Sequence, residues 1–199
     1  MRKPVVGIIA NFYLINDQYP AQTSGNMYTE AIAEVAGAVP MIIPSLPDCV
    51  DIDEIMGVCD GFLFTGGKPN VHPEIRDIPG RINHRMSPDG TLEDKYAHRH
   101  LVQLSSGSPF ARMFGFDEVL VNSLHGQGIE KPGPRIIVDG YAPDGTAEAI
   151  SIKNAPGFAL AVQWHPEYNA ANDLVSKALF EAFGEALIAW KHKSARAAE

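Results

Sequence analysis

A short apolar run, Val5-Val6-Gly7-Ile8-Ile9-Ala10, sets the strongest constraint on what this chain can become. A run of this length without a polar side chain suits a strand buried on both faces, as inside a parallel sheet covered by helices. The residues that follow keep that pattern. Asn16 to Asn26 is polar and ends in Ser24-Gly25-Asn26, a helix start. Met27, Ala31 and Val35 then share one helical face, Tyr28, Ile32 and Ala36 the adjacent one, and Gly37 marks the stop. Val39 to Ile43 reads as a second strand closed by Pro44 and Pro47, and Asp51 to Val58 as a short helix. Gly61 to Phe64 is a third strand running into Thr65-Gly66-Gly67. Strand, helix, strand, helix, strand implies parallel pairing through right-handed crossovers.

The second half changes character. Arg99 to Leu104 and Glu118 to Val121 are expected strands. Ile136 to Tyr141 and Thr146 to Ile152 flank Pro143-Asp144-Gly145, the signature of a hairpin turn. Phe158 to Gln163 is a further strand that delivers Trp164-His165-Pro166-Glu167. A closing helix from Asp173 to Trp190 lines up Val175, Leu179, Phe183 and Leu187 as a core-facing stripe. Residues 1–190 read as one α/β domain, followed by a polar, frayed tail at 191–199.

Composition narrows the classes of function. In 199 residues, 16 Lys and Arg face 24 Asp and Glu, a net charge of −8. No basic run is present, which argues against nucleic acid as a partner. No apolar run approaches a membrane span. Met1-Arg2-Lys3-Pro4 before VVGIIANFYLI has the outline of a secretory leader, but Asn11 interrupts it and no small-x-small cleavage site follows closely. Cys49 and Cys59 form no C-x-x-C pair and no disulfide framework. The expectation is a cytoplasmic protein.

Four segments carry possible chemistry. His165 and Glu167 lie two apart beyond a strand, so a turn at Pro166 lets both face one pocket, the carboxylate orienting the imidazole as a base. The plainer alternative is a loop histidine beside a solvated glutamate. Gly66 and Gly67 let the backbone approach a ligand and aim N–H groups at an anion, a geometry shared with any tight strand-to-helix turn. The loop Asn122-Ser123-Leu124-His125-Gly126-Gln127-Gly128 suits the lining of a pocket, and suits a structural loop equally. His98-x-His100 in a strand would project both rings to one side, with His72 and His84 not far along the chain. No H-E-x-x-H or similar frame completes a ligand set, so neither a metal nor a cofactor is expected.

Taken in order, PVVGIIAN, YTEAIAEVAGAVPMIIPSLP, DGFLFTGGKPNVHP, RDIPGRINHR, VNSLHGQGI, YAPDGTAEAI and FALAVQWHPEY closely resemble one family. It is the class I glutamine amidotransferase-like hydrolases, in the gamma-glutamyl-gamma-aminobutyrate hydrolase branch, peptidase family C26. The resemblance runs from residue 4 to about 186. It implies a three-layer flavodoxin-like class I glutamine amidotransferase fold, mostly parallel, with a C-terminal hairpin. It also implies a cysteine hydrolase of gamma-glutamyl amides, in polyamine or GABA metabolism: a thiolate attacks the side-chain carbonyl, the amine leaves, and water cleaves the thioester. In this resemblance His165 takes the place of the general base, Glu167 of its orienting carboxylate, and Gly66 and Gly67 of the oxyanion donors. Asn122, Ser123, His125 and Gln127 fall in the wall of the substrate pocket, for a small gamma-glutamyl amide or glutamine-like ligand.

One block departs from the family. The nucleophile belongs on a G-x-C-R-G elbow between an N-V-H-P and an I-P-G-R motif. Here Asn70-Val71-His72-Pro73 runs directly into Glu74-Ile75-Arg76-Asp77-Ile78-Pro79-Gly80-Arg81, and the helix, strand, elbow and helix between them have no counterpart. Cys59 precedes the third strand, opposite the end where parallel sheets gather active sites. Cys49 follows no elbow signature, Ser123 lacks the G-x-S-x-G context, and neither cysteine has a basic neighbour in sequence to lower its pKa. Loss of a central strand leaves its neighbours unpaired, so association with a second copy through an exposed sheet edge is expected. Three readings stand: an inactive family member, a pseudoenzyme that binds a gamma-glutamyl or amino-acid ligand or nothing; an active hydrolase or glutaminase whose nucleophile segment is missing from this sequence; and an interaction protein working through the sheet edge.

Overall fold

The computed structural model describes residues 2–67, 82–86 and 89–197, with side chains described through 193. The chain divides into two compact units, Met1–Gly67 with Glu167–Glu199, and Lys68–Pro166. The junction of Pro73 with Glu74, and His72 beside it, lie outside the described residues.

In the first unit, β1 (Val5–Ile9) is followed by β2 (Asn11–Ile15) and β3 (Tyr19–Thr23), a hairpin whose turn and second strand fall in the polar stretch Asn16 to Asn26. Its turn is built on Asn16 and Asp17, both at positive φ (51° and 56°), with the Gln18 N–H donating to the Ile15 carbonyl at 3.1 Å. Two left-handed residues in succession are the mark of a type I′ turn. Helix α1 (Asn26–Glu30) continues as a wider π-helical turn, Ala31–Val35, and the chain reverses at Gly37 with φ 66°. Then come β4 (Val39–Ile43), α2 (Ile52–Val58) and β5 (Gly61–Phe64). Asp51 caps α2 by accepting from the Asp53 and Glu54 N–H groups at 2.9 and 3.3 Å.

The sheet of this unit has the order β4-β1-β5, and both pairings are parallel. Central β1 buries Val6 and Ile8 completely. Gly7 lies between them because any Cβ there would meet the Phe62 ring at 2.9 Å and Ile43 at 3.0 Å.

The second unit begins its described secondary structure with α3 (Leu92–Tyr96), whose N-terminus is held by a Thr91–Asp94 capping box. It continues through β6 (His98–Leu104), α4 (Pro109–Phe114), β7 (Glu118–Asn122), β8 (Ile136–Tyr141), β9 (Ala147–Ile152) and β10 (Leu160–Val162). The five strands form one sheet of order β10-β9-β8-β6-β7, antiparallel at every pairing. Among the described residues parallel pairing is therefore confined to the three strands of the first unit, where the apolar runs are unbroken. The β8–β9 hairpin turns at Gly145, φ 84°, as the Pro-Asp-Gly signature implies.

The chain then returns to the first unit as α5 (Leu174–Ala197). The expected stripe is present: Leu179, Phe183 and Leu187 are buried and Val175 is half-buried. The helix does not stop at Trp190 but runs through to Ala197, so most of the expected frayed tail is helical. Near its end, Lys191 Nζ reaches the Lys3 carbonyl at 3.1 Å and Asp60 Oδ2 at 3.3 Å. Asp60 in turn accepts from the Val5 N–H at 2.8 Å, so one carboxylate joins α5 to the start of β1. Two glycines set the spacing. A Cβ on Gly61 would collide with Leu187, and one on Gly184 with the Ala36 carbonyl.

Two glycine substitutions are expected to move stability in opposite directions. Gly184→Ala drives a methyl into backbone that cannot rotate away and should cost about 1–3 kcal/mol. Gly57→Ala, in α2 with open space around it, should gain roughly 0.5–1 kcal/mol. Urea denaturation of the two variants beside the parent measures both.

Candidate functional site

The carboxyl end of β5 carries Thr65-Gly66-Gly67, held by its own unit. Asn11 Nδ2 donates to Thr65 Oγ1 and to the Gly66 carbonyl, both at 2.9 Å, and Thr65 Oγ1 donates to the Ile9 carbonyl at 3.1 Å. The Gly66 N–H, an expected oxyanion donor, points at the Tyr28 hydroxyl oxygen 3.1 Å away. The donor is thus aimed at an oxygen, at the strand end where ligands of parallel sheets bind. Glu167, 3% exposed, opens the return of the chain into this same unit.

His165 belongs to the second unit. Its backbone is gripped on both sides by one side chain: its N–H donates to Asn122 Oδ1 at 2.8 Å, and its carbonyl accepts from Asn122 Nδ2 at 2.9 Å. The imidazole lies edge-on to the Tyr96 ring, centroids 5.7 Å apart. The sequence reading puts Asn122 in a pocket wall. Its carboxamide instead spends both of its polar atoms on positioning His165, because β7 ends beside the loop that follows β10.

The rest of that polar loop turns inward. Ser123 is fully buried, donating from Oγ to the His84 carbonyl at 3.0 Å. His125 Nδ1 lies 2.8 Å from the Gln127 carbonyl, and His125 Nε2 lies 3.3 Å from Glu148 Oε1. Here the expectation of a substrate wall gives way to an interior cluster: Ser123 and His125 face His84 and Glu148 rather than solvent.

The histidine expectations change as well. A register shift between His98 and His100 breaks the strand alternation, leaving His98 exposed and His100 buried, so the two rings do not share a side. His100 instead meets His84 ring to ring, centroids 4.8 Å apart, and His84 meets His125 at 4.6 Å. Spacing along the chain offers no metal frame, whereas the fold brings three histidines to one buried carboxylate. Glu148 is 1% exposed and sits between Ala147 and Ala149 in β9. A charged residue between small ones in a buried strand is the sequence signal for this cluster, since lone carboxylates almost never occupy such positions.

Asp144, in the β8–β9 turn, completes the surroundings of His84. It accepts from His84 Nε2 at 3.0 Å, the Ile82 N–H at 3.1 Å and the Thr146 N–H at 3.0 Å. Burial pushes its carboxyl up, but the hydrogen bonds from Thr146, His84 and Ile82 outweigh that and hold it well below the usual range. Burial pushes the His84 imidazole down by more than the Asp144 hydrogen bond lifts it.

Both cysteines are free thiols. Cys59 is buried, and burial together with the charge of Asp60 pushes its thiol up. That is the reverse of what a thiolate nucleophile requires. Cys49 is exposed. No helix among the described residues is long and apolar enough to cross a membrane.

Comparison with known proteins agrees with the fold. The sequence profile of Peptidase C26 matches residues 4–77 and 72–167, two segments that meet at 72–77. A gamma-glutamyl-gamma-aminobutyrate hydrolase of Shigella flexneri is 36% identical over 163 residues, 81% of this chain and 59% of its own. The gamma-glutamyl-gamma-aminobutyrate hydrolase PuuD of Escherichia coli K12 is 36% identical over 154 residues, 77% of this chain and 57% of its own. The chain thus spans under two thirds of the length of these relatives. A crystal structure from Thermoplasma acidophilum, of a protein assigned as a GMP synthase component, superposes with a TM-score of 0.63 at 13% identity, covering 98% of both chains. That likeness carries the class I glutamine amidotransferase fold.

Two measurements probe this geometry. At pH 8 an Ellman titration should find Cys49 reacting at once and Cys59 only after denaturation, because a raised thiol pKa and burial both deplete accessible thiolate. Asn122→Ala leaves the His165 N–H and carbonyl without their partner. It should cost about 1–3 kcal/mol in chemical denaturation and shift the His165 resonances in an NMR spectrum.

Proposed function

The chain belongs to the Peptidase C26 family, and from that premise we propose that it is a gamma-glutamyl amide hydrolase scaffold that retains a ligand site but performs no turnover in its 199-residue form. The observation that carries this reading is the direct joining of Pro73 to Glu74 where the family carries its nucleophilic elbow, in a chain whose other motifs are intact. The meeting of two profile segments at 72–77 supports an internal loss at that place. The raised Cys59 thiol supports the absence of a substitute nucleophile.

In the family scheme a thiolate attacks the gamma-carbonyl, His165 passes the proton to the leaving amine, and Glu167 steadies the imidazolium. The backbone donors at Gly66 and Gly67 stabilise the oxyanion. In that scheme the donors and the acid–base pair suit a carbonyl and an amino-acid head, so the ligand class this reading implies is a gamma-glutamyl amide or a glutamine-like molecule. The two free thiols accord with the reducing cytoplasm. Among the described residues β5 pairs on one side only, with β1, and its Phe64 is 78% exposed, which supports association of two copies through that edge.

The purified 21.6 kDa chain is expected to release no GABA from gamma-glutamyl-GABA while binding it in isothermal titration calorimetry. Release that disappears in C49S or C59S would overturn the reading by identifying a working thiol. The intact mass of the protein from its native source is the companion measurement. A mass clearly above 21.6 kDa would restore the active hydrolase as the favoured account.

A further inference from the structure

The cluster around Glu148 has a donor arrangement that the hydrolase scheme does not use. Each of its histidines commits one ring nitrogen to an acceptor: His84 Nε2 to Asp144 Oδ2 at 3.0 Å, His100 Nδ1 to the Leu101 carbonyl at 3.1 Å, His125 Nδ1 to the Gln127 carbonyl at 2.8 Å. A carboxylate or carbonyl only accepts, so in the neutral form of each imidazole it takes the single N–H and leaves a lone pair on the other nitrogen. Those three remaining nitrogens face one atom. His84 Nδ1, His100 Nε2 and His125 Nε2 stand 3.4, 3.7 and 3.3 Å from Glu148 Oε1. The Ser123 hydroxyl lies 3.1 Å from His84 Nδ1, but its one hydrogen is directed to the His84 carbonyl.

Three lone pairs turned toward a carboxylate repel it. Neither Glu148 oxygen has a hydrogen-bond partner among the described residues, nor does His100 Nε2 or His125 Nε2. The side chains are nine-tenths or more buried, at 10%, 4%, 9% and 0% exposure for His84, His100, His125 and Glu148. Water therefore does not relieve the repulsion, and an unpaired buried carboxylate is too costly to leave so. A cation among the four groups turns every repulsion into attraction.

We propose that His84, His100, His125 and Glu148 form a structural site for a divalent transition metal of the zinc class. At metal–ligand bonds of roughly 2.0–2.2 Å, tetrahedral ligands stand about 3.3–3.6 Å apart, close to the three nitrogen–oxygen separations here. Ligand atoms of His84, His100 and Glu148 all lie within 4.8 Å of one another, a gap that small imidazole rotations close. The hydrogen bonds to Asp144 and the two carbonyls are the outer partners that fix metal-binding imidazoles in one tautomer. The burial of all four donors leaves no open position for substrate, which makes the role structural. The metal joins the segment before α3, strand β6, the loop after β7 and strand β9, four pieces of the second unit.

The test is metal content and stability of the full chain. After dialysis against EDTA and re-equilibration with zinc, mass spectrometry of the elements should find one zinc per chain. The melting temperature should fall on chelation and recover on zinc addition. Cobalt loading should give the intense visible absorption of a four-coordinate site. H100A and E148Q should lose the metal, while H98A, altered at the exposed histidine of the same strand, should keep it. Failure of the parent chain to take up zinc would overturn the proposal. So would stoichiometric zinc that survives both H100A and E148Q, or cobalt spectra of the weak octahedral kind.

Discussion

A strand with solvent on neither face must satisfy its backbone entirely at its two edges, and β1 meets that condition with parallel neighbours on both sides. Much of the first unit follows. Parallel neighbours cannot be joined by tight turns, so α1 and α2 serve as crossovers. Crossovers put the strand ends in common register, which brings Thr65-Gly66-Gly67 to the carboxyl edge, where Asn11 binds it. The same demand explains Gly7: with a side chain there, Phe62 of β5 could not pack across the strand.

The second unit is organised by charge instead. Its sheet places one carboxylate, Glu148, where no solvent reaches it, and gathers histidines around it from segments far apart in sequence. Asp144 performs the outward part of the task by orienting His84. The polar loop after β7 thereby works in two directions. Asn122 holds the backbone of His165, and Ser123 and His125 close over the cluster. One short segment links the expected acid–base residue to the buried carboxylate.

The elements legible in the sequence are those with a local signal. The apolar runs of β1, β4 and β5, the Pro-Asp-Gly turn between β8 and β9 and the Val175–Leu187 stripe each declare themselves through spacing or turn chemistry. The β2–β3 hairpin does not, because its side chains lack a buried face: Phe12, Tyr13, Leu14, Ile15 and Tyr19 are all exposed, so no alternation marks the strands. Its turn rests on Asn-Asp rather than a glycine pair. His165 and Glu167 are legible as an expected pair because they lie two apart on one short segment. The histidine cluster is not, because its geometry depends on a bulge between His98 and His100 and on a strand pairing that no spacing encodes.

The first unit is discontinuous in the chain, and that has a consequence for synthesis. Its sheet strands are made within the first 67 residues, whereas the helix that covers them begins at Leu174. Until α5 emerges from the ribosome, the notch at Gly61 has no Leu187 to fill it, and Asp60 waits for Lys191, 131 residues later. The second unit, uninterrupted from 68 to 166, can close its hairpins locally in the meantime. While residues 68–173 are being made, a nascent chain therefore carries an apolar sheet that α5 has not yet covered, and it is α5 that takes that surface out of reach of other chains and of chaperones.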